Sequence, residues 1–318
     1  MKAPAPAAVP TAAGTVLSTA VPGTPRARRP GARRPGARRA GARRAGARWA
    51  TGLGWFVASV ALFAGLWELA WAAGWADPLL LPPPHVFLRN FAAQGKFFDT
   101  STIGRQAAPP AVAVGKTILA TALRVLTGLA LGFAASLVVG VLATQVRLVG
   151  RLVLPTMTLL APISSVAWLP VAIFLFGIGD GPAIFLVFIG IFFIMTIATV
   201  AQINDVSSTW TDVGRTLGAS RRQVLTRVVL PAILPGLFVV LRLNLFAAWA
   251  VVLIAEAVGV GSGLGQVVLL ARNTFNSSLV FFTMTIIGIT GYLLDLGLRT
   301  IQTRLLWWQT ANQAGAGR

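Results

Sequence analysis

Cysteine is absent from this sequence of 318 residues, and histidine occurs only once, at His85. Without cysteine the chain cannot build a disulfide framework, a thiolate zinc site or a thiol nucleophile. A single histidine also argues against a histidine-clustered metal site and a histidine-based catalytic triad. We therefore expect this chain to have no catalytic residue, no metal site and no cofactor, and not to be an enzyme.

Charged residues are also scarce, at 11% of the chain against roughly 25% in soluble globular domains. Apolar residues make up 56%, and the mean hydropathy is +0.76. This composition excludes most soluble folds and predicts an all-α membrane protein.

Most of the net charge of +19 comes from the N-terminal region. Residues 1–48 contain Lys2 and ten arginines in an ARRPG/ARRAG repeat with frequent proline and alanine. We predict a disordered cytoplasmic tail here, and a second, short tail at 309–318. No aromatic residue precedes Trp49, so a solvated tail or contact with anionic membrane lipids is favoured over nucleic-acid binding.

Six apolar runs between residues 49 and 308 are long enough to cross a bilayer. The first is longer than the apolar core of a signal peptide and ends in tryptophans, so a spanning helix is favoured over a cleaved leader, although Ala70-Trp71-Ala72 imitates a cleavage site. Arginines follow the second, fourth and sixth runs, which places those ends and both termini in the cytoplasm. The runs are 53–75, 120–144, 153–177, 183–203, 232–256 and 279–298.

Two of these spans have distinctive small-residue or proline patterns. The second carries a stripe at four-residue intervals that predicts a helix-packing face, formed by Gly128, Gly132, Ser136 and Gly140. The third contains Pro155, Pro162 and Pro170 beside Ser164 and Ser165. These prolines predict either a kinked structural helix or a broken helix that lines a translocation pathway.

Ionisable residues inside spans are functional candidates by default. Most of them lie near span ends, where snorkelling to the interface is the simplest interpretation, namely Glu68, Arg124, Glu256 and Asp295. Arg242 lies deeper, about 15 Å into the fifth span, and is the strongest candidate for a cavity-facing charge. The candidate pathway residues are therefore Ser164, Ser165, Trp168, Arg242, Asn244 and Glu256.

The cytoplasmic segment 205–231 is the most informative part of the chain. Its pattern predicts two short helices broken at Gly218, with Asp212 near the positive end of the first helix and Pro231 at the entry to the fifth span. A polar helical hairpin that projects from a membrane bundle suggests a docking partner, and a solvated loop is the alternative.

This segment resembles the EAA loop of ABC importer permeases, whose pattern is E-A-A, three residues, G, nine residues and I-x-L-P. Asp212, Val213 and Gly214 occupy the first triplet, Gly218 the glycine, and residues 228–231 the last element. Further matches to permeases of the nitrate, sulfonate, taurine and bicarbonate type lie at 81–84, 124–128, 168–170, 176–179, 236–243 and 255–265.

The resemblance implies the transmembrane permease subunit of an ATP-driven importer, a type I bundle in the bacterial cell membrane. Its implied partners are a cytosolic ATP-binding subunit that hydrolyses ATP, an extracytoplasmic substrate-binding protein and a second permease copy. The implied substrate is a small oxyanion. The implied coupling residues are Asp212, Val213, Gly214, Gly218, Ala219, Ser220, Val228, Leu230 and Pro231.

A self-sufficient secondary transporter or channel is the alternative. It would need ligands for a coupling ion and usually an internal repeat, and the sequence shows neither.

Overall fold

A computed structural model describes residues 54–55, 57–75, 77, 81–98 and 109–308. The two predicted tails, 1–48 and 309–318, lie outside these residues, as does the segment 99–108. The described residues from Phe63 onward belong to one compact unit. No strand occurs in the described part of the chain.

Eleven α-helices are described. They are α1 (Val57–Ala72), α2 (Pro84–Arg89), α3 (Phe91–Gly95), α4 (Pro110–Gln145), α5 (Arg147–Leu160), α6 (Leu169–Phe176), α7 (Asp180–Asn204), α8 (Ser208–Thr216), α9 (Arg221–Val260), α10 (Leu264–Asn273) and α11 (Ser277–Leu305). Short 3₁₀ turns at Lys96–Phe98 and Ser165–Trp168 precede α4 and α6.

Four helices, α4, α7, α9 and α11, are long and apolar enough to span a membrane, which agrees with the second, fourth, fifth and sixth predicted spans. The pair α5 and α6 forms a fifth when counted as one span, and it bends by 98°. Helix α1 is apolar but shorter than these spans. The count of six therefore stays a prediction.

The third span is broken rather than kinked, and its prolines explain where the break falls. Pro162 lies between α5 and α6, where its missing N–H and its ring disfavour a continuous helix. Pro170 is in the first turn of α6, a position that needs no backbone donor. Pro155 remains inside α5.

Helix α7 packs against both α4 and α9, and these two helices also contact each other. The stripe of small residues on α4 faces α7, and all four of its members are buried. An added Cβ would lie 2.6 Å from Val187 at Gly128, 2.5 Å from Ile191 at Gly132 and 2.6 Å from Thr199 at Gly140, and Ser136 is the fourth member of the stripe. The two backbones approach closely because these side chains are missing or small.

Helix α1 is held to α2 by Glu68. Its carboxylate accepts the backbone N–H of His85 at 3.1 Å and lies 2.9 Å from the Nδ1 atom of the same residue. His85 is in the first turn of α2, so the carboxylate caps that helix from outside. Trp67 adds an edge-on contact to Phe281 of α11, with ring centroids 5.1 Å apart.

Candidate functional site

The segment 205–231 forms a helix, a tight turn and the start of a second helix. Helix α8 ends at a turn in which the amide of Gly218 donates to Arg215 and that of Ala219 to Gly214. Gly218 has φ +81°, a left-handed conformation that favours glycine. The helix therefore breaks at Gly218, as the sequence predicts.

The second half of the segment differs from the prediction of a separate short helix. Helix α9 begins at Arg221 and runs without interruption to Val260, so Val228, Leu230 and Pro231 belong to the spanning helix itself. Ser220 starts α9 with a capping box, in which its hydroxyl accepts the amide of Gln223. A wide π-helical stretch, Leu225–Val229, precedes Pro231 and accommodates the lost hydrogen bond within one helix.

The position predicted for Asp212 is also wrong. Helix α8 begins at Ser208, so Asp212 lies in the middle of the helix rather than at its positive end. Its carboxylate lies 3.8 Å from the guanidinium of Arg215, and both side chains are mostly exposed.

An apolar groove of about 350 Å³ runs beside α8. Its walls are apolar apart from one threonine: Thr209, Trp210, Val213, Gly214, Leu217 and Val228. Leu217 is 82% exposed, and Trp210 and Val213 are exposed as well. A Cβ added to Gly214 would lie 3.4 Å from Val224, an ordinary contact distance, so α8 rests against α9 at this point.

At the opposite end of the bundle, the guanidinium group of Arg124, a residue of α4, donates hydrogen bonds to four groups. Its Nη1 atom donates to Glu256 at 2.5 Å, its Nε atom to Asp180 at 2.8 Å, and its Nη2 atom to the Ser262 hydroxyl at 2.8 Å. The carbonyl of Ser262 accepts a further bond at 3.1 Å. Arg124 is 6% exposed and Glu256 is fully buried, whereas the carboxylate of Asp180 is 67% exposed. We call these four residues the outer cluster, after the orientation that the distribution of arginine predicts.

The outer cluster also holds the start of α10. The second carboxylate oxygen of Glu256 accepts the amide of Gly265 at 3.0 Å, and the hydroxyl of Thr121 accepts the amide of Leu264 at 3.1 Å. These bonds cap two of the amides that a helix N-terminus leaves unsatisfied. A Cβ at Gly263 would collide with the Glu256 carboxylate, so glycine is required there.

A second set of charges joins α9 to α11. The Nε atom of Arg242 donates to Asp295 at 2.6 Å, and the Nε atom of Arg299 donates to the other oxygen of the same carboxylate at 2.8 Å. The Asp295 side chain is almost fully buried. Nearby, the side-chain amide of Asn244 donates to the carbonyl of Val240 within α9.

The expectation that Arg124, Glu256 and Asp295 snorkel to the interface is therefore wrong, because all three are buried and paired inside the bundle. Sequence reasoning considered each charge singly and missed Asp180, Ser262 and Thr121 as partners. Opposite charges at similar depth on different predicted spans were the signal in the sequence that could have predicted the ion pairs.

The candidate pathway residues fall into three settings. Ser164 is exposed and Ser165 half-buried at the break before α6, where Ser165 rests on Gly190 of α7. The indole N–H of Trp168, also at the break, is buried and has no partner within the described residues. Arg242 and Asn244 lie along α9, and Glu256 belongs to the outer cluster. Within the described chain, no group of three or more metal-ligating side chains occurs.

Residues 117–306 match the family described as binding-protein-dependent transport system inner membrane component. A probable ABC transporter permease protein of Brucella abortus is 32% identical over 81% of this chain and 97% of the relative. The taurine transport system permease protein TauC of Escherichia coli is 30% identical over 79% of this chain and 88% of the relative.

The fold resembles that of the inward-facing MetNI methionine ABC transporter. The TM-score is 0.53 at 20% sequence identity, over 63% of this chain and 99% of that chain. The described chain is thus an all-α bundle of the type I importer class. The chain belongs to the family of binding-protein-dependent transport system inner membrane components, and it is a multi-pass permease subunit of an ABC importer in the bacterial cell membrane.

Proposed function

We propose that α8 and the turn at Gly218 are the surface through which this permease binds its ATP-binding subunit, where ATP is hydrolysed. A permease of this family works with an ATP-binding subunit and a substrate-binding protein. The observation that supports this docking surface is the exposed apolar groove beside α8. An exposed apolar patch with a charged rim is typical of a protein-interaction site.

The composition of the groove fits a helix-in-groove or knob-in-pocket contact. Leu217 projects from the turn after α8, and Trp210 and Val213 extend the apolar surface along that helix. Arg215 lies on the same helix, and its charged side chain is mostly exposed. Large apolar and aromatic side chains at the centre of such a contact provide most of the binding free energy.

Co-purification of the ATP-binding subunit with variants of the permease tests this assignment. Leu217→Asp should release the ATP-binding subunit and abolish uptake, because a carboxylate replaces the most exposed apolar side chain of the groove. Ser208→Asp is the matched control, since it adds the same charge to the first turn of α8 outside the groove. If Leu217→Asp retains the subunit at the level of Ser208→Asp, α8 is not the docking surface.

We further propose that the transported substrate is a small oxyanion, with bicarbonate among the candidates. Three relatives are named as permeases for taurine, for aliphatic sulfonates (SsuC of Bacillus subtilis) and for nitrate (NrtB of Synechococcus elongatus). Their substrates share a compact, negatively charged oxygen group. The test is a thermal-shift screen of the cognate binding protein against taurine, alkanesulfonates, nitrate and bicarbonate. A response only to cations or to neutral sugars would contradict the proposal.

A self-sufficient transporter or channel finds no support, because the relatives are subunits of ABC systems.

The face around the break between α5 and α6 supports a second permease copy as a partner. Backbone groups freed at such a break must face protein or water rather than lipid. Yet the helices beside the break expose large apolar side chains, and Phe174 is 88% exposed. The exposed residues are Leu148, Leu152, Leu159, Phe174, Leu175 and Ile178. A second copy packed on this face would cover the exposed apolar side chains and keep the freed backbone groups away from lipid.

Disulfide cross-linking in membranes tests the dimer, and the cysteine-free chain gives no background. Phe174→Cys should form a covalent dimer under mild oxidation. Leu293→Cys, exposed on α11 away from the break, should not. Equal cross-linking at both positions would indicate random collision and contradict the proposed interface.

We also propose six spans with both termini in the cytoplasm. In this orientation the arginine-rich segment where α8 ends and α9 begins lies inside the cell, and the turn between α10 and α11 lies outside. Thr274 and Thr216 are both exposed on the protein surface, so only the membrane can make cysteines at these two positions differ in accessibility. Labelling of whole cells with a membrane-impermeant thiol reagent should modify Thr274→Cys and leave Thr216→Cys unmodified. The reverse pattern would overturn the orientation.

A further inference from the structure

A second cavity, of about 430 Å³, lies where α8 meets the ends of the spanning helices. Thr144 and Gln145 border it from the end of α4, and Thr211 and Arg215 from α8. Arg221, the first residue of α9, completes the polar lining. Unlike the apolar groove, this cavity presents mainly hydrogen-bonding groups, and we call it the basic pocket.

The charges of the basic pocket are all of one sign. Two guanidinium groups, two hydroxyls and one amide line it, and the lining residues include no carboxylate. Within the described part of the chain, Arg221 forms no ion pair, and the only one formed by Arg215 is the exposed contact of 3.8 Å with Asp212. Both guanidinium groups therefore keep donors that a ligand can use.

The remaining walls of the pocket are apolar. Ile203 and Val206 come from the end of α7 and the turn that follows it, and Val224, Leu225 and Val229 come from the first turns of α9. The pocket thus combines a cationic rim with an apolar wall at the ends of membrane-spanning helices. Basic pockets between such helices are suited to the phosphate of a lipid headgroup.

We infer that the basic pocket binds a phosphate-type oxyanion, carried by the headgroup of an anionic phospholipid or present as free inorganic phosphate. The planar guanidinium group donates two parallel hydrogen bonds to such an anion. The side-chain amide of Gln145 supplies a further donor beside it, whereas the hydroxyls of Thr144 and Thr211 already donate to the carbonyls of Val141 and Ser208.

A bound anion would join α8 to the bundle, because its ligands come from α4, α8 and α9. A ligand that binds one arrangement of these helices better than another stabilises that arrangement. The anion would therefore stabilise the observed position of α8 against the bundle. Any effect of the anion on transport rests on the docking role of α8 proposed above. Binding of the anion to the pocket does not depend on that role.

Thermal unfolding of the purified full-length permease in neutral detergent tests the inference. Three probes are titrated at constant ionic strength: short-chain phosphatidylglycerol, short-chain phosphatidylcholine and sodium phosphate. Phosphatidylglycerol, phosphate or both should raise the melting temperature, and phosphatidylcholine should not. A response to phosphate alone identifies the free anion as a sufficient ligand. A response to phosphatidylglycerol, with no response to phosphate, identifies a lipid headgroup as the ligand.

Arginine variants locate the binding. Arg221→Gln and Arg215→Gln should each raise the half-saturating concentration of the active probe about tenfold, the loss expected for one charged hydrogen-bonding partner. Arg222→Gln is the matched control, because Arg222 is the next residue along α9, is exposed and does not line the pocket. Arg221 has no ion pair within the described chain to lose, so Arg221→Gln should fold normally.

Two results would overturn the inference. The first is the absence of any shift in the wild-type protein with phosphatidylglycerol and with phosphate. The second is an equal loss of binding in Arg222→Gln, which would show that general surface charge attracts the anion. The assay contains no ATP-binding subunit, so either result leaves the proposed docking role of α8 intact.

Discussion

The outer cluster and the α8 segment lie at opposite ends of the same long helices, and they differ in how completely the chain satisfies its own groups. In the outer cluster, buried Arg124 and Glu256 use their donors and acceptors on each other, on Asp180 and on Ser262. At the other end, Leu217 is exposed in the turn after α8. One end is complete within a single chain, and the other leaves large apolar side chains exposed, as the proposed docking role requires.

Burial explains why the outer end must be complete. A charge taken out of water costs several kcal/mol unless a partner and hydrogen bonds compensate for it. Arg124 and Glu256 are both buried, so neither tolerates the loss of the other. The exposed side chains of α8 carry no such penalty, and this permits that surface to bind and release a partner.

The largest effect should follow from breaking the buried pair. Glu256→Gln should lower the free energy of unfolding by about 3–5 kcal/mol, because the buried guanidinium of Arg124 loses its buried counter-charge. Asp180→Asn removes an exposed carboxylate from the same guanidinium and should cost less than about 1 kcal/mol. Thermal unfolding in detergent measures both. Equal losses would show that burial does not distinguish the two carboxylates.

The next effect concerns the α4 face that joins the two ends. Gly132→Ala should destabilise the protein by about 1–3 kcal/mol, because the new methyl group would overlap the Ile191 side chain. Gly288→Ala on α11 is the control, since no atom lies within 4 Å of its added Cβ. The comparison is made by thermal unfolding. A tolerated Gly132→Ala would mean that α4 and α7 can separate without cost.

A smaller effect is expected at the turn after α8. No atom lies within 4 Å of a Cβ added to Gly218, so the cost comes from its left-handed backbone, about 1–2 kcal/mol for a β-branched residue. Gly218→Val should therefore weaken docking of the ATP-binding subunit roughly 5- to 30-fold. Gly218→Asn should do less harm, because asparagine tolerates this conformation. Co-purification and uptake are the measurements, and equal behaviour of both variants would exclude backbone strain as the cause.

The smallest effect is expected at Gly214, where α8 rests on α9. A methyl group there would make only ordinary contact with Val224, so Gly214→Ala should change stability by no more than about 0.5 kcal/mol and preserve uptake. Gly214→Leu should displace α8 and reduce uptake. Loss of uptake in the alanine variant would mean that the partner, rather than α9, occupies the space beside this residue.

Local patterns predicted much of the bundle. Long apolar runs identified α4, α7, α9 and α11, and the glycine at 218 marked the turn because few other residues adopt its backbone conformation. Proline content left the third span open between a kink and a break, and the break lies at Pro162. The continuity of α9 through Pro231 could not be predicted, because it depends on a π-helical stretch at Leu225–Val229 that the local pattern does not indicate.

By itself, the sequence determined the membrane class, the apolar spans, the distribution of arginine along the chain and the spacing of the α8 segment, because each of these depends on residues close together in the chain. Only the tertiary structure decided which charges are partners. Arg124 and Glu256 are 132 positions apart, and Arg242 and Asp295 are 53 apart. Their pairing depends on which helices pack together and at what depth. The resulting burial of Arg124, Glu256 and Asp295 makes a charged partner necessary for each of these three residues.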